Sequence, residues 1–257
     1  MNFNLTYGPW AIVTGASAGL GEHYTRQLAE RGLNVLIIAR RMERLESLAT
    51  ELMSKHSVSI ECLELDLVAE GAISTILTAC EGKDIGLLVN NAGFGIKELF
   101  TENDAARLRN MVRLNCEVPV MLTDALLGKL KSRDTAGIIN LSSVAGFQAT
   151  PHMSVYGATK AFDLMFSEAL GSELEGSGID VLAVCPASTA TEFHVVAGSE
   201  STFPTMDDPR LVVRNSLNSL GKRAVYVHGF KSRALIFVSR FTPRFLVTKM
   251  TKLMLKN

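Results

Sequence analysis

Cysteine is scarce and scattered in this 257-residue chain. Cys62, Cys80, Cys116 and Cys185 form no C-x-x-C pair, which argues against a disulfide framework or a zinc site and predicts buried, reduced thiols. The histidines at 23, 56, 152, 194 and 228 show no H-E-x-x-H or other ligand spacing, so no metal site is expected. No apolar run reaches the roughly 18 residues expected of a membrane span. The N-terminus lacks a basic segment followed by an apolar one, so no secretory signal is expected. A cytoplasmic protein is the resulting expectation. Also missing are Pro/Gly/Ser-rich linkers, internal repeats and low-complexity tracts. Net charge is missing too, since 26 Lys and Arg balance 26 Asp and Glu.

What is present is a steady alternation of apolar runs and helical patterns, the mark of a parallel sheet with crossover helices. Strand-like runs fall at Trp10–Thr14, Asn34–Ala39, Ser57–Leu65, Ile85–Val89, Gly137–Ser142, Ile179–Cys185 and Ala224–Val227. Helical stretches lie near 20–31, 41–55, 69–81, 102–131, 154–176 and 207–221. Continuous apolar strands such as Val35–Ala39 suit a sheet covered on both faces. The fold class is therefore α/β: one doubly wound, Rossmann-like domain with a mostly parallel seven-stranded sheet and helices on both faces. Strand order 3-2-1-4-5-6 plus a seventh strand is expected, with ligands at the carboxyl ends of the strands.

Three features on that edge carry chemistry. Thr14-Gly15-Ala16-Ser17-Ala18-Gly19-Leu20-Gly21 joins the first strand to the first helix. Its glycines let backbone turn tightly and approach a pyrophosphate at the helix N-terminus. Tyr156 and Lys160 are four residues apart on a helical stretch and so share a face. An ammonium there favours the phenolate, lowering a tyrosine pKa that is ordinarily near 10, as acid-base work near neutral pH requires. Ser143 precedes the tyrosine by thirteen residues; its neighbour Ser142 also carries a hydroxyl, and fits better as a strand-end residue.

Together with Asn90-Asn91-Ala92-Gly93 and Asn115, these motifs make the chain resemble a short-chain dehydrogenase/reductase of the common type, over roughly residues 8–191. It is similar, more loosely, to 3-oxoacyl and 17β-hydroxysteroid reductases. The resemblance implies hydride transfer between a nicotinamide cofactor and a carbonyl/alcohol pair. It assigns Tyr156 as acid/base, Ser143 to the substrate carbonyl, Lys160 to the cofactor ribose and the Tyr156 pKa, and Asn115 to a proton relay. It also implies cofactor contacts from Gly15, Ser17, Ala18, Gly19, Leu20, Gly21, Asp66, Leu67, Asn91, Ala92, Gly93, Tyr156, Lys160, Pro186, Thr189 and Thr191. Asp66 alternatively caps a helix. One departure is Pro186-Ala187, where the family has Pro-Gly. A cofactor-binding protein without catalysis is the alternative, since fold alone does not fix function.

The end of the second strand reads Ala39-Arg40-Arg41, where an acidic residue would hold an NAD ribose. Arginine suits a 2′-phosphate, so NADP(H) is the expected cofactor, with Arg40 first and Arg41 second. Residues 188–206 are expected to form a substrate lid, with Phe193, Val195, Val196 and Phe203 apolar and Glu192 and His194 polar. Such a lid favours a hydrophobic ketone or 3-oxoacyl-type substrate. A homodimer or homotetramer is implied by the resemblance; Phe162, Leu164, Met165, Phe166 and Leu170 serve either that interface or the chain's own core. Pro209–Asn257 holds eleven Lys and Arg and no Asp or Glu. Within a basic C-terminal extension (231–257), Arg244–Lys256 has helical periodicity. That tail docks on the acidic body or a partner subunit, surrounds the entrance for an anionic substrate such as an acyl thioester, or makes peripheral contact with a membrane. Nucleic acid is not expected, because no binding motif accompanies the charge.

Overall fold

The computed structural model describes residues 3–199 and 206–255. In chain order the elements are α1 (Phe3–Tyr7), β1 (Trp10–Thr14), α2 (Gly19–Glu30), β2 (Asn34–Ala39), α3 (Met42–Lys55), β3 (Ile60–Glu64), α4 (Ala72–Ala79) and β4 (Ile85–Asn90). There follow α5 (Ala105–Val112), α6 (Val118–Lys131), β5 (Ala136–Leu141), α7 (Ser154–Glu173), β6 (Ile179–Cys185), α8 (Phe193–Ala197), α9 (Pro209–Leu217), β7 (Val225–Val227), α10 (Phe230–Ser239) and α11 (Arg244–Leu255). The seven strands form one parallel sheet in the order β3-β2-β1-β4-β5-β6-β7. The order reverses between β1 and β4, and there the ends of both strands can share one ligand.

The centre of the sheet is buried on both faces because its strands offer no polar side to water, whereas the edge strand β3 exposes Glu61 and Glu64. Every residue of β4 and β5 is buried, and each fully buried Ile, Leu or Val contributes about 1.5–3 kcal/mol. Val13, Val35, Ile37 and Val89 pack under α2, α3 and α9 on one face; Ile12, Leu36, Leu88 and Ile138 pack under α4 and α6 on the other. Asp208 caps α9 by accepting from the Arg210 amide at 2.8 Å. Tyr24 of α2 shares a 2.6 Å hydrogen bond with Ser216 of α9.

Three sequence expectations are corrected and one open alternative is resolved. The stretch 102–131 is helical only from Ala105 and is not uniformly α: behind a 3₁₀ turn (Phe100–Glu102), α5 runs through a π turn over Arg113–Glu117 directly into α6. A single inserted residue widens the helix there and puts it one residue out of step, a local feature that a 3.6-residue pattern does not announce. The helix after β3 starts at Ala72 behind Gly71, so Asp66 is no helix cap; its carboxylate accepts from the Val68 amide at 3.2 Å. Of the thiols, Cys80 and Cys185 are buried but Cys62 and Cys116 only partly so. Burial pushes Cys80 and Cys116 up to about 11 and Cys185 up to about 12. In α7, Leu164 is buried against β6 and Leu170 packs on the core, whereas Met165 is exposed. Only Phe162, Met165 and Phe166 are left to face outward, the two rings stacked 5.9 Å apart.

Candidate active site

The glycine turn after β1 is held open by β4. Thr14 Oγ1 accepts from the amides of Asn91 and Ala92, each at 3.0 Å, and Asn91 Nδ2 donates to Thr14 O at 2.8 Å. Gly15 and Gly19 take positive φ, at 67° and 58°, a region open to glycine at little cost. Gly21 is a glycine for space instead: a Cβ there would lie 2.3 Å from Gly15 O and 2.5 Å from Asn91 Nδ2. A Gly21→Ala variant is therefore expected to lose about 1–3 kcal/mol of stability through overpacking and to bind nicotinamide nucleotide more weakly. Thermal unfolding and titration calorimetry would check both; unchanged values in each would contradict the packing argument. Ala18 caps α2 without a side-chain hydrogen bond, which leaves amide donors at this helix start for an anion.

A cavity of about 1060 Å³ runs from this turn across the switch point. Gly15, Ser17, Ala18, Gly19, Leu20, Arg40, Arg41, Asp66, Leu67, Asn91, Ala92 and Gly93 line one part; Ser143, Tyr156, Lys160, Pro186, Thr189 and Thr191 line another. Gly21 lies beneath the turn and Asn115 behind the wall, so neither lines the cavity. The remaining expected residues are brought together in it. An extended nucleotide fits this layout: free amides and a glycine turn at one end, two arginines at the rim, and hydroxyls with a buried ammonium at the other.

At that end, Tyr156 and Lys160 are both buried on α7. Ser142 and Ser143 are separated by their bonds. Ser142 donates to the Lys160 carbonyl at 2.7 Å, whereas Ser143 accepts from the Ala145 amide at 3.1 Å and keeps its proton to donate. Asn115, in the π turn, is fixed by Phe94 N, Phe94 O and Thr159 Oγ1 at 3.2, 3.0 and 3.0 Å. Such turns recur at functional sites.

The spacing of Tyr156 and Lys160 predicts a lowered Tyr156 pKa, but in the structure it lies above its usual value. Burial dominates, while Lys160 and the neighbouring Ser143 hydroxyl act downward without prevailing. Lys160 also has a partner that the sequence expectation omits, Asp163, which adds a smaller upward push on Tyr156. Lys160 Nζ donates to Leu141 O at 2.6 Å and to Asp163 Oδ2 at 2.9 Å, so its charge is shared with a carboxylate. Burial pulls Lys160 down, but Asp163 and Tyr156 outweigh it and its pKa ends raised. Burial likewise raises Asp163, whose Oδ1 has no hydrogen-bond partner. The signal was available: Asp163 is three residues beyond Lys160 on one helical face.

The segment after β6 crosses the cavity. Phe193 packs on Tyr156 with ring centroids 5.3 Å apart. Buried His194 shares hydrogen bonds with Ser188 and Ser199 at 3.1 and 3.0 Å, and burial lowers its pKa. Glu192 bridges Arg41 at 2.9 Å and Arg44 at 2.5 Å, and Arg41 also donates to Ser17 Oγ. Val195 and Val196 are exposed, Val196 at the cavity. Phe203 lies outside the described residues.

A doubly wound sheet with a glycine turn and a buried Ser-Tyr-Lys set at its switch point defines a nicotinamide-dependent oxidoreductase. Residues 9–201 match the family model described as short chain dehydrogenase, and the chain belongs to that family. It is 32% identical over 227 residues to a very-long-chain 3-oxoacyl-CoA reductase of Meyerozyma guilliermondii, covering 84% of this chain and 66% of that protein. This chain thus spans just under two thirds of that relative's length. Mouse 17-beta-hydroxysteroid dehydrogenase type 3 is 30% identical over 271 residues, covering 100% of this chain and 87% of that one. Among solved structures, a short-chain dehydrogenase from Sphingobium yanoikuyae in complex with NADPH superposes with a TM-score of 0.82 at 33% identity, covering 91% and 94% of the two chains.

Proposed function

We propose that this protein is an NADP(H)-dependent reductase of hydrophobic ketones, of the 3-oxoacyl or steroid type. The observation that carries the reading is the placement of Ser143, Tyr156 and Lys160 in the same cavity as the Gly15–Gly21 turn and the Arg40–Arg41 rim. When bound, the nicotinamide supplies or accepts the hydride. Tyr156 donates its phenolic proton to the carbonyl oxygen as the carbon is reduced, and Ser143 donates a hydrogen bond to the same oxygen. Two fixed donors at a developing alkoxide are the preorganised stabilisation on which such catalysis rests. Lys160 holds positive charge beneath the resulting phenolate and toward the cofactor ribose. Asn115 holds the Phe94 backbone and, through Thr159, the helix that carries Tyr156 and Lys160; a proton relay past it would restore the phenol.

The apolar half of the substrate reading rests on Phe94, Met153, Phe193 and Leu255, which line the cavity and cluster with Tyr156. Residues 188–199 serve as the lid, and Glu192 is its latch onto Arg41 and Arg44; residues 200–205 of the expected lid lie outside the described residues. A two-fold homodimer through the outward side of α7 agrees with Phe162 and Met165 standing exposed there. Among the described residues no helix is long and apolar enough to cross a membrane. The non-catalytic alternative draws no support, since Ser143, Tyr156, Lys160 and Asn115 are all in place.

For the cofactor, Arg40 lines the rim without an ion pair among the described residues, while Arg41 must release Glu192 to meet a phosphate. Arg40→Ala is therefore expected to weaken NADPH about tenfold or more, the loss of one charge-assisted contact at about 1.5–3 kcal/mol, and to leave NADH nearly unaffected. Initial rates with both cofactors across 3-oxoacyl thioesters and steroid ketones test the whole reading. A wild-type preference for NADH that Arg40→Ala leaves unchanged would overturn NADP(H), and absence of turnover on every carbonyl class would overturn the reductase.

A further inference from the structure

The C-terminal helices present a face that nothing in the reaction uses. Phe230, Phe237, Phe241 and Phe245 are 77%, 64%, 76% and 70% exposed, which no fold-stabilising role explains. Aromatic side chains are costly to leave in water, and clustered exposure of this kind marks a surface that meets something apolar. The same helices carry Arg233, Arg240, Arg244, Lys249 and Lys252, all exposed and none in an ion pair among the described residues. The expected docking on the chain's own body is real but one-sided. Thr251 and Leu255 are buried, Leu255 among Ile96, Met111, Met153 and Tyr156, while the cations do not reach the acidic body.

We propose that α10 and α11 dock this protein on an anionic phospholipid surface. Three observations choose this occupant. Helices with exposed phenylalanines and cations, and no acid from Pro209 onward, have the composition that settles into a headgroup layer, where each Lys or Arg adds attraction. A second copy of the chain fits poorly, because a two-fold contact would set this positive face against itself. The face is also continuous with the cavity: Leu235 and Met254 both line it and are 47% and 61% exposed, so they stand at its rim. Docking would set that rim against the acyl layer, and a lipophilic ketone would enter from the bilayer without crossing water. This last step rests on the reductase reading above; the docking itself does not.

Flotation of the full-length protein with phosphatidylcholine vesicles, with and without phosphatidylserine, tests the proposal at low and high salt. Binding is expected only with phosphatidylserine and is expected to fall with salt. Lys249→Gln/Lys252→Gln should bind about thirtyfold more weakly, from about 1 kcal/mol per neutralised cation. Phe241→Ser/Phe245→Ser should lose binding at all salt concentrations. Both variants should match the wild type on a water-soluble ketone without vesicles, which separates docking from chemistry. Failure of the wild type to float with anionic vesicles would overturn the proposal. So would variants that float like the wild type, or a Phe241→Ser/Phe245→Ser protein that turns from dimer to monomer while the wild type ignores vesicles.

Discussion

A Tyr156→Phe variant is expected to lose about a thousandfold or more in turnover while its NADPH affinity stays nearly unchanged. The change removes one oxygen from a ring that remains packed on Phe193, so the cavity keeps its shape and the cofactor end is untouched. What disappears is both the proton donor and one of the two hydrogen bonds to the carbonyl oxygen, and positioned acid catalysis alone contributes about 10²–10⁴-fold. The wild-type pH dependence follows from the direction of the Tyr156 shift. Burial raises its pKa, so the phenol is protonated at neutral pH and ready to donate. Reduction should therefore hold at neutral pH and fall only on the alkaline side. Alcohol oxidation, which needs the phenolate, should rise with pH over the same range. Steady-state rates in both directions across a pH series, with calorimetric NADPH titration of the variant, would check this. Substantial reductase activity in Tyr156→Phe would remove the tyrosine from the role assigned to it.

The sheet was legible because its signal is local. Six of the seven strands are mainly apolar runs bounded by turn residues; β3, Ile60–Glu64, carries two glutamates and is markedly shorter than the expected run. The order of motifs along the chain also placed most of the site, since the glycine turn, Asn91, Ser143 and Thr189 all follow strand ends on one edge. What escaped depends on geometry that no short window holds. The π turn at Arg113–Glu117 is one residue out of step within a good helical pattern. Glu192 meets Arg41 and Arg44 from about 150 residues away, a contact set by how the segment after β6 crosses the cavity. The short helix α8 and the helix α10 were absent from the reading because an apolar, weakly patterned run reads equally as loop, strand or helix. The net sign of the Tyr156 shift escapes for a different reason: the sequence shows spacing but not burial, and burial outweighs the downward pull of Lys160, which also has Asp163 as a partner.

That second partner yields the other large effect. Asp163→Asn is expected to cost about 3–5 kcal/mol of stability, the usual cost of leaving one member of a buried ion pair behind. It should also move the alkaline limb of the reductase profile to lower pH. Lys160 in the wild type is raised above its ordinary 10.5 because Asp163 and Tyr156 overcome burial. A raised lysine contributes stability in full below its unfolded value and loses it only as pH rises through the higher folded one. Without Asp163 the largest influence left is burial, which acts downward. Lys160 should then lose its proton at a pH where the wild type is still charged, leaving the phenolate of Tyr156 uncompensated. Thermal unfolding measures the first effect and a kcat profile over pH the second, a readout that simple loosening of α7 would not shift. Lys160→Met/Asp163→Leu removes both charges while keeping apolar volume, and it should recover most of the lost stability without recovering turnover. If Asp163→Asn unfolds at the wild-type temperature and keeps the wild-type pH profile, Asp163 does not sustain the Lys160 charge. If the double variant is no more stable than Asp163→Asn, the loss comes from packing around α7 rather than from an unpaired ammonium.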